Sequence, residues 1–154
     1  LGNERAGIAR VGQSKQWLQR IRMVAAQERD GDRPLIENRR LREKLATIEV
    51  ERKALEITQL RVVAAEGKRA HGTPDPASSI LKIKGSEIQQ ALTELAMQAV
   101  GPMAQPFKSV ANEADFDDFT AGLAPRYCNF RKTSIYAGSN EIQRNIISKM
   151  TLGL

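Results

Sequence analysis

"LIENRRLREKLATIEVERKALEITQLRVVAAEGKRA" (Leu35–Ala70) is the stretch whose reading decides the fold. Leu41, Leu45, Ile48, Leu55 and Val62 recur at steps of three or four residues, or their sums. That spacing puts side chains on one face of an α-helix. Val50, Ala54, Ile57, Leu60 and Ala64 widen the stripe, and a helix with a broad apolar stripe is covered on more than one side. A helix over 35–70 would be about 50 Å long at 1.5 Å per residue. That is longer than a lone small bundle needs, so neighbouring subunits are expected to cover part of it.

The helical reading extends in both directions. A first helix is predicted from about Glu4 to Arg29, with Asn3 as N-cap and Glu4 in the first turn, where the helix dipole favours an acid. Its apolar residues are Ile8, Val11, Leu18, Ile21 and Val24, with Trp17 beside them. "RDGDRP" (Arg29–Pro34) breaks the chain. "HGTPDPAS" (His71–Ser78) is the clearest linker, and Ser78 or Ser79 can cap a third helix running to about Val100. That helix carries Ile80, Ile83, Ile88, Leu92, Leu95 and Met97, and "GPMAQP" (Gly101–Pro106) ends it. Residues 107–121 are acidic and loop-like. A fourth helix is predicted from about Pro125 to Ser134 and a last one over about Asn140–Met150. No strand alternation and no internal repeat stand out. The expectation is an all-α, up-and-down four-helix bundle, its last helix broken by a glycine loop.

The 154 residues are the size of one domain. The chain is 41% hydrophobic and 27% charged, a globular composition, and only 5% aromatic, so Leu, Ile, Val, Ala and Met must build the core. No apolar run approaches the roughly 20 residues that span a bilayer, and no signal-peptide pattern is present. A single cysteine, Cys128, excludes an internal disulfide, and a cytoplasmic location is the default expectation. Cys128 with the only histidine, His71, is a remote candidate for a nucleophilic dyad. The first residue is Leu, and the chain reads as the C-terminal piece of a longer polypeptide. The net charge is +6; residues 1–70 hold 16 Lys/Arg against 10 Asp/Glu, and residues 71–154 hold 8 against 8. A basic half raises the possibility of nucleic acid or an acidic partner. Interspersed Arg and Glu, as in "ENRRLREKLATIEVERKALE" (Glu37–Glu56), fit solvated helix faces better, and interleaved aromatics are lacking.

"IYAGSNEIQR" (Ile135–Arg144) is a short Gly-Ser-Asn loop between a basic aromatic segment and an apolar C-terminal run. Gly138 allows positive φ or close approach by another molecule. Ser139 and Asn140 are both N-cap types. The free backbone N–H groups there could receive an anion, or the segment could be a plain helix-breaking turn with its cap.

With its continuation, "IYAGSNEIQRNIISKMTLGL" (Ile135–Leu154) resembles the C-terminal signature of the acyl-CoA dehydrogenase family: Gly-Thr/Ser-x-Glu/Gln-Ile-Gln-Arg followed by an apolar helix. "LGNERAGIARVG" (Leu1–Gly12) is similar to the start of that family's C-terminal bundle. "ILKIKGSEIQQALTELAMQAVGP" (Ile80–Pro102) is similar to its third helix. The resemblance covers essentially the whole chain. It implies FAD as cofactor, an acyl-CoA thioester as substrate and an electron-transfer flavoprotein as acceptor. It further implies homo-oligomers or paired large and small subunits, with no nucleic acid and no membrane partner. The implied reaction removes a proton from Cα and a hydride from Cβ.

In many members the base precedes the loop glycine, and here that position is Ala137, which cannot accept a proton. A branch of the family carries its glutamate at the start of the first bundle helix, followed by Arg, and Glu4-Arg5 stand at that place. The resemblance therefore implies Glu4 as catalytic base, Arg5 as its neighbour in the substrate site, and Ala137 and Gly138 as lining of the thioester pocket. Ser139, Asn140 and Glu141 fall at the cofactor-binding positions, and Arg144 stabilises the helix. Two departures stand out. The family's Arg-x-x-Phe-Gly segment is replaced by "ERDGDRPLIENR" (Glu28–Arg39), where Arg29 or Arg33 could restore some contacts. Its Gln-x-x-Gly-Gly segment is replaced by "LAPRYCNFRKTSIY" (Leu123–Tyr136). Both departures resemble a bacterial subgroup built of paired subunits, closest to pimeloyl-CoA dehydrogenase large subunits, which act on dicarboxylyl-CoA thioesters. The bundle alone, without preceding domains, is expected to bind little FAD and to act as an assembly module.

Overall fold

The computed structural model describes residues 7, 9–66, 75–105, 119–120 and 122–154. Helix α1 (Val11–Gln27) buries Val11, Ser14, Leu18, Ile21 and Ala25 at alternating steps of three and four. The predicted first helix is interrupted here: Gly7 is helical, but Arg10 sits at φ +45° and a left-handed residue cannot continue a right-handed helix, so α1 begins afresh at Val11. The Asn3 cap lies outside the described residues. Trp17 packs 5.6 Å from the Phe119 ring, and the Arg126 guanidinium lies 4.4 Å above the Trp17 ring.

The predicted break at 29–34 is a miniature ribbon. β1 (Arg29–Asp30) pairs antiparallel with β2 (Arg33–Pro34), and Gly31 turns between them at φ +62°. Strands of two residues are too short to register as an alternation, which is why the sequence shows none. A 3₁₀ turn (Leu35–Glu37) follows. Asn38 then caps α2 (Arg39–Glu66), its Oδ1 accepting from Leu41 N–H at 3.1 Å. The predicted stripe is the buried one: Leu41, Leu45, Ile48, Leu55 and Val62 are all in the core. The widening set is not covered by this chain, since Val50, Ile57 and Leu60 are 69%, 54% and 61% exposed.

Helix α3 (Pro76–Val100) is the central element and packs against α1, α2 and both C-terminal helices. Its cap is Asp75, whose side chain accepts from Ala77 N–H at 2.9 Å, with Pro76 in the first turn. Ser78 and Ser79, the expected caps, are inside the helix and buried. One face of α3 is apolar, with Leu81, Ile88, Leu92, Leu95 and Ala99 in the core. A second face is polar and equally buried: Ser78, Ser79, Lys82, Ser86, Gln89 and Thr93.

That polar face receives the C-terminal segment. Helix α4 (Leu123–Phe130) passes into a 3₁₀ turn (Arg131–Ser134), a loop, then α5 (Asn140–Ile147), which runs on into a π-helical turn (Ser148–Leu152). The architecture is the expected all-α bundle with a broken last helix. No helix among the described residues is long and apolar enough to cross a membrane.

Candidate functional site: the 135–141 loop on helix α3

A break in a helix strands the carbonyls of its last turn, which then need donors from elsewhere. Here α3 supplies them. Gln90 Nε2 donates to the Arg131 carbonyl at 3.1 Å and to Thr133 Oγ1 at 3.2 Å. Arg131 donates back to the Gln90 carbonyl at 2.9 Å and to Thr93 Oγ1 at 3.2 Å. Lys82 Nζ donates to the Ser134 carbonyl at 3.1 Å and to Asn140 Oδ1 at 2.7 Å. Ser86 accepts from Asn140 Nδ2 at 3.1 Å and donates to the Ile83 carbonyl at 2.8 Å. Lys82, Ser86, Gln90 and Thr93 of α3 thus serve the break directly.

Within the loop, Ala137 adopts φ +54° and Gly138 φ +86°. A Cβ on Gly138 would lie 2.5 Å from Gln143 Nε2, and the Gln143 side chain is buried beneath it. Ser139 caps α5 through its hydroxyl, which accepts from Ile142 N–H at 3.4 Å. Ala137, Gly138 and Glu141 are exposed, and Ser139 is half-buried. Asn140 is only 6% exposed and points inward, with both polar atoms engaged by Lys82 and Ser86. So the loop has two sides. Ala137, Gly138, Ser139 and Glu141 face outward, together with the exposed side chains of Ile135 and Ile142, while Asn140 serves it from within.

Electrostatics sort the acids. The Glu141 carboxyl is held below the usual carboxylate range by its own backbone N–H, then by the Ser139 hydroxyl, with Arg144 and Lys82 adding attraction. A carboxylate held ionised accepts hydrogen bonds but is a weak proton acceptor. Glu141 is thereby a weaker proton acceptor than an ordinary glutamate, and Ala137 cannot abstract at all. Burial pushes the Lys82 ammonium below the usual lysine range. Arg144 ties α5 to α3, 3.2 Å from Glu87, and also lies 3.8 Å from Glu141.

Glu4 and Arg5 lie outside the described residues. The described chain reaches toward them at Ala9, five residues after Glu4. Ala9 is fully buried against Gly85, where an added Cβ would come within 2.6 Å of the Ala9 Cα. Positions 82, 85 and 86 share one face of α3, so the approach to the first helix and the base of the loop are seated on the same turn. Cys128 is exposed and His71 lies outside the described residues. A cavity of about 580 Å³ is lined by Arg22, Ile36, Arg39, Arg42 and their neighbours on α1 and α2; none of its lining residues belongs to the loop. Among the described residues no group of acids, His and Cys is placed to hold a metal.

Lys82, Ser86, Gln90 and Gln143 escape a reading that tracks apolar periodicity. For Lys82 and Ser86 the signal that could have found them is the polar series 78/79, 82, 86, 89, 93, which has the spacing of a helix face; Gln90 and Gln143 lie outside it.

A family model described as the C-terminal domain of acyl-CoA dehydrogenase matches residues 1–152. No curated protein sequence matches the chain. Among solved structures, a protein assigned as an acyl-CoA dehydrogenase from Mycobacterium abscessus is similar at TM-score 0.80 and 19% identity, over 99% of this chain and 35% of that one. The glutaryl-coenzyme A dehydrogenase complex with glutaryl-CoA is similar at TM-score 0.76 and 18% identity, over 99% and 36%. The ChsE4–ChsE5 complex from Mycobacterium tuberculosis contributes a chain similar at TM-score 0.71 and 21% identity, over 92% and 35%. The chain spans about a third of the length of each, 35–36%.

Proposed function

Since the chain belongs to the acyl-CoA dehydrogenase family, as its C-terminal domain, we propose that it forms one wall of a flavin-dependent desaturation site. The substrate is an acyl-CoA thioester, and the reaction removes hydrogen across its Cα–Cβ bond. FAD, when bound, supplies the hydride acceptor. Glu4 takes the Cα proton, made acidic by the thioester, and Arg5 sets the charge around it. Ala137 and Gly138 line the thioester pocket. Ser139 and Glu141 are the FAD contacts. They fit that task because both polar groups lie on the open side of the loop, beside exposed Ile135 and Ile142. Asn140 acts from behind, holding the loop in place.

The observation that carries this reading is the shared seat on α3. Ala9 packs on Gly85 and Asn140 on Lys82 and Ser86, so the segment at Ala9 and the loop are seated on one face. Ala137, at the position where many family members carry the base, cannot take a proton, which supports a base from the first-helix end.

The test uses the complete polypeptide. Glu4→Gln should keep its flavin absorbance near about 450 nm. Turnover with an electron-transfer flavoprotein as acceptor should fall by about 10²- to 10⁴-fold, the usual contribution of a positioned base. Unimpaired turnover in that variant would reject Glu4. The exposed apolar face of α2, with Val50, Ile57 and Leu60, supports assembly into homo-oligomers or paired large and small subunits.

A further inference from the structure

Lys82 is the largest wholly buried side chain among the described residues, at 0% exposure. Among those residues it forms no ion pair; its two hydrogen-bond partners are neutral oxygens, the Ser134 carbonyl and Asn140 Oδ1. Burying an ammonium is costly, and an apolar side chain of similar volume would fill the same space without that cost. What Lys82 provides is therefore not packing. Its two partners bracket the loop: Ser134 is the last residue of the 3₁₀ turn and Asn140 the first of α5. Between them lie Ile135–Ser139, including Ala137 at a φ that an L-residue keeps only when its surroundings impose it.

We propose that Lys82 is a positioning residue. By gripping Ser134 and Asn140 at once it closes the 135–139 segment into the one shape that presents Ala137, Gly138 and Ser139 outward. Ser86 completes the clamp by engaging the Asn140 amide. The proposal rests on the dehydrogenase reading for what the loop does, and on the geometry alone for how the loop is held.

The experiment has two arms in the complete polypeptide. Lys82→Met keeps the side-chain volume and removes the donor. Hydrogen exchange of the 136–139 amides should quicken by roughly tenfold or more, while amides of the apolar half of α3 stay unchanged. In the flavin-loaded enzyme kcat should fall by about tenfold or more with KM changed little, as misalignment rather than lost binding predicts. A well-folded Lys82→Met with unchanged loop exchange, or with wild-type kcat, would overturn the assignment. Should that variant fail to fold, Asn140→Ala removes the acceptor instead and should quicken the same amides; an unaltered loop there also overturns it. In the unmodified protein the Lys82 ammonium protons should exchange slowly with water by nitrogen-detected NMR, and fast exchange would contradict the clamp. The exchange arm needs no turnover. An inactive wild-type polypeptide would therefore remove the dehydrogenase reading and leave the clamp to be judged by the loop amides.

Discussion

At the scale of single residues, Ala137 and Gly138 both occupy left-handed backbone, yet replacement should move them in opposite directions. The methyl of Ala137 crowds its carbonyl at φ +54°, at a cost of about 1–2 kcal/mol. Ala137→Gly relieves this but frees the unfolded chain by about 0.4–1 kcal/mol, so a gain of up to about 1 kcal/mol remains. Gly138→Ala adds a methyl at φ +86° and 2.5 Å from buried Gln143 Nε2, which should destabilise by about 1–3 kcal/mol. Urea unfolding of both variants measures the pair of signs. A Gly138→Ala protein as stable as the parent would show that neither the positive φ nor the close approach of Gln143 requires a glycine there. Gly138 and Ser139 were legible in the sequence because a positive φ and a cap are local demands with local residue preferences. Lys82 was not, because what it satisfies is created by a break some 50 residues away, at Ser134 and Asn140.

At the scale of elements, the helices and their core stripes follow from apolar periodicity, and the ends do not. Helix α1 begins at Val11 because Arg10 turns left-handed, and α3 begins at Pro76 because Asp75 caps it. Both boundaries depend on backbone geometry that several nearby residues could equally have offered. The polar face of α3 reads in sequence as a solvated face, since serine, lysine and glutamine at helical spacing usually are. Lys82 gains a partner for its buried ammonium in the Ser134 carbonyl opposite, whereas Ser78, Gln89 and Thr93 bond to backbone carbonyls at the start of or within their own helix. Gly85 sits in that face and is where α3 touches Ala9. Gly85→Ala should gain about 1 kcal/mol of helix propensity. It should lose more, since its Cβ would stand 2.6 Å from a backbone atom of Ala9, and overpacking of that kind costs about 1–3 kcal/mol or above. Gly12→Ala in α1, where nothing lies within 4 Å of the added methyl, is the control and should be neutral or stabilising by up to about 1 kcal/mol. Chemical denaturation separates the two, and equal effects would remove the close approach from the account.

At the scale of the whole molecule, α2 presents more apolar surface than this chain covers. The sequence revealed that a second cover was wanted; a single chain's pattern holds no record of what supplies it. Leu60→Glu on that face should lower the mass of the complete polypeptide in sedimentation equilibrium. It should leave unfolding nearly unchanged, because a substitution at an exposed site of this kind is usually within about 0.5 kcal/mol. An unaltered mass would show that the face is not an interface. The contact at Gly85 has a mechanical consequence as well. Ala9 and Asn140 are mounted on neighbouring positions of one stiff rod, α3, and Ala9 rests there backbone against backbone, with no rotamer in between. Bending or tilting of the bundle carries both mounts together. The spacing between Ala9 and Asn140 is thus gauged by a single turn of helix, and only slippage at residues 82–86 can change it.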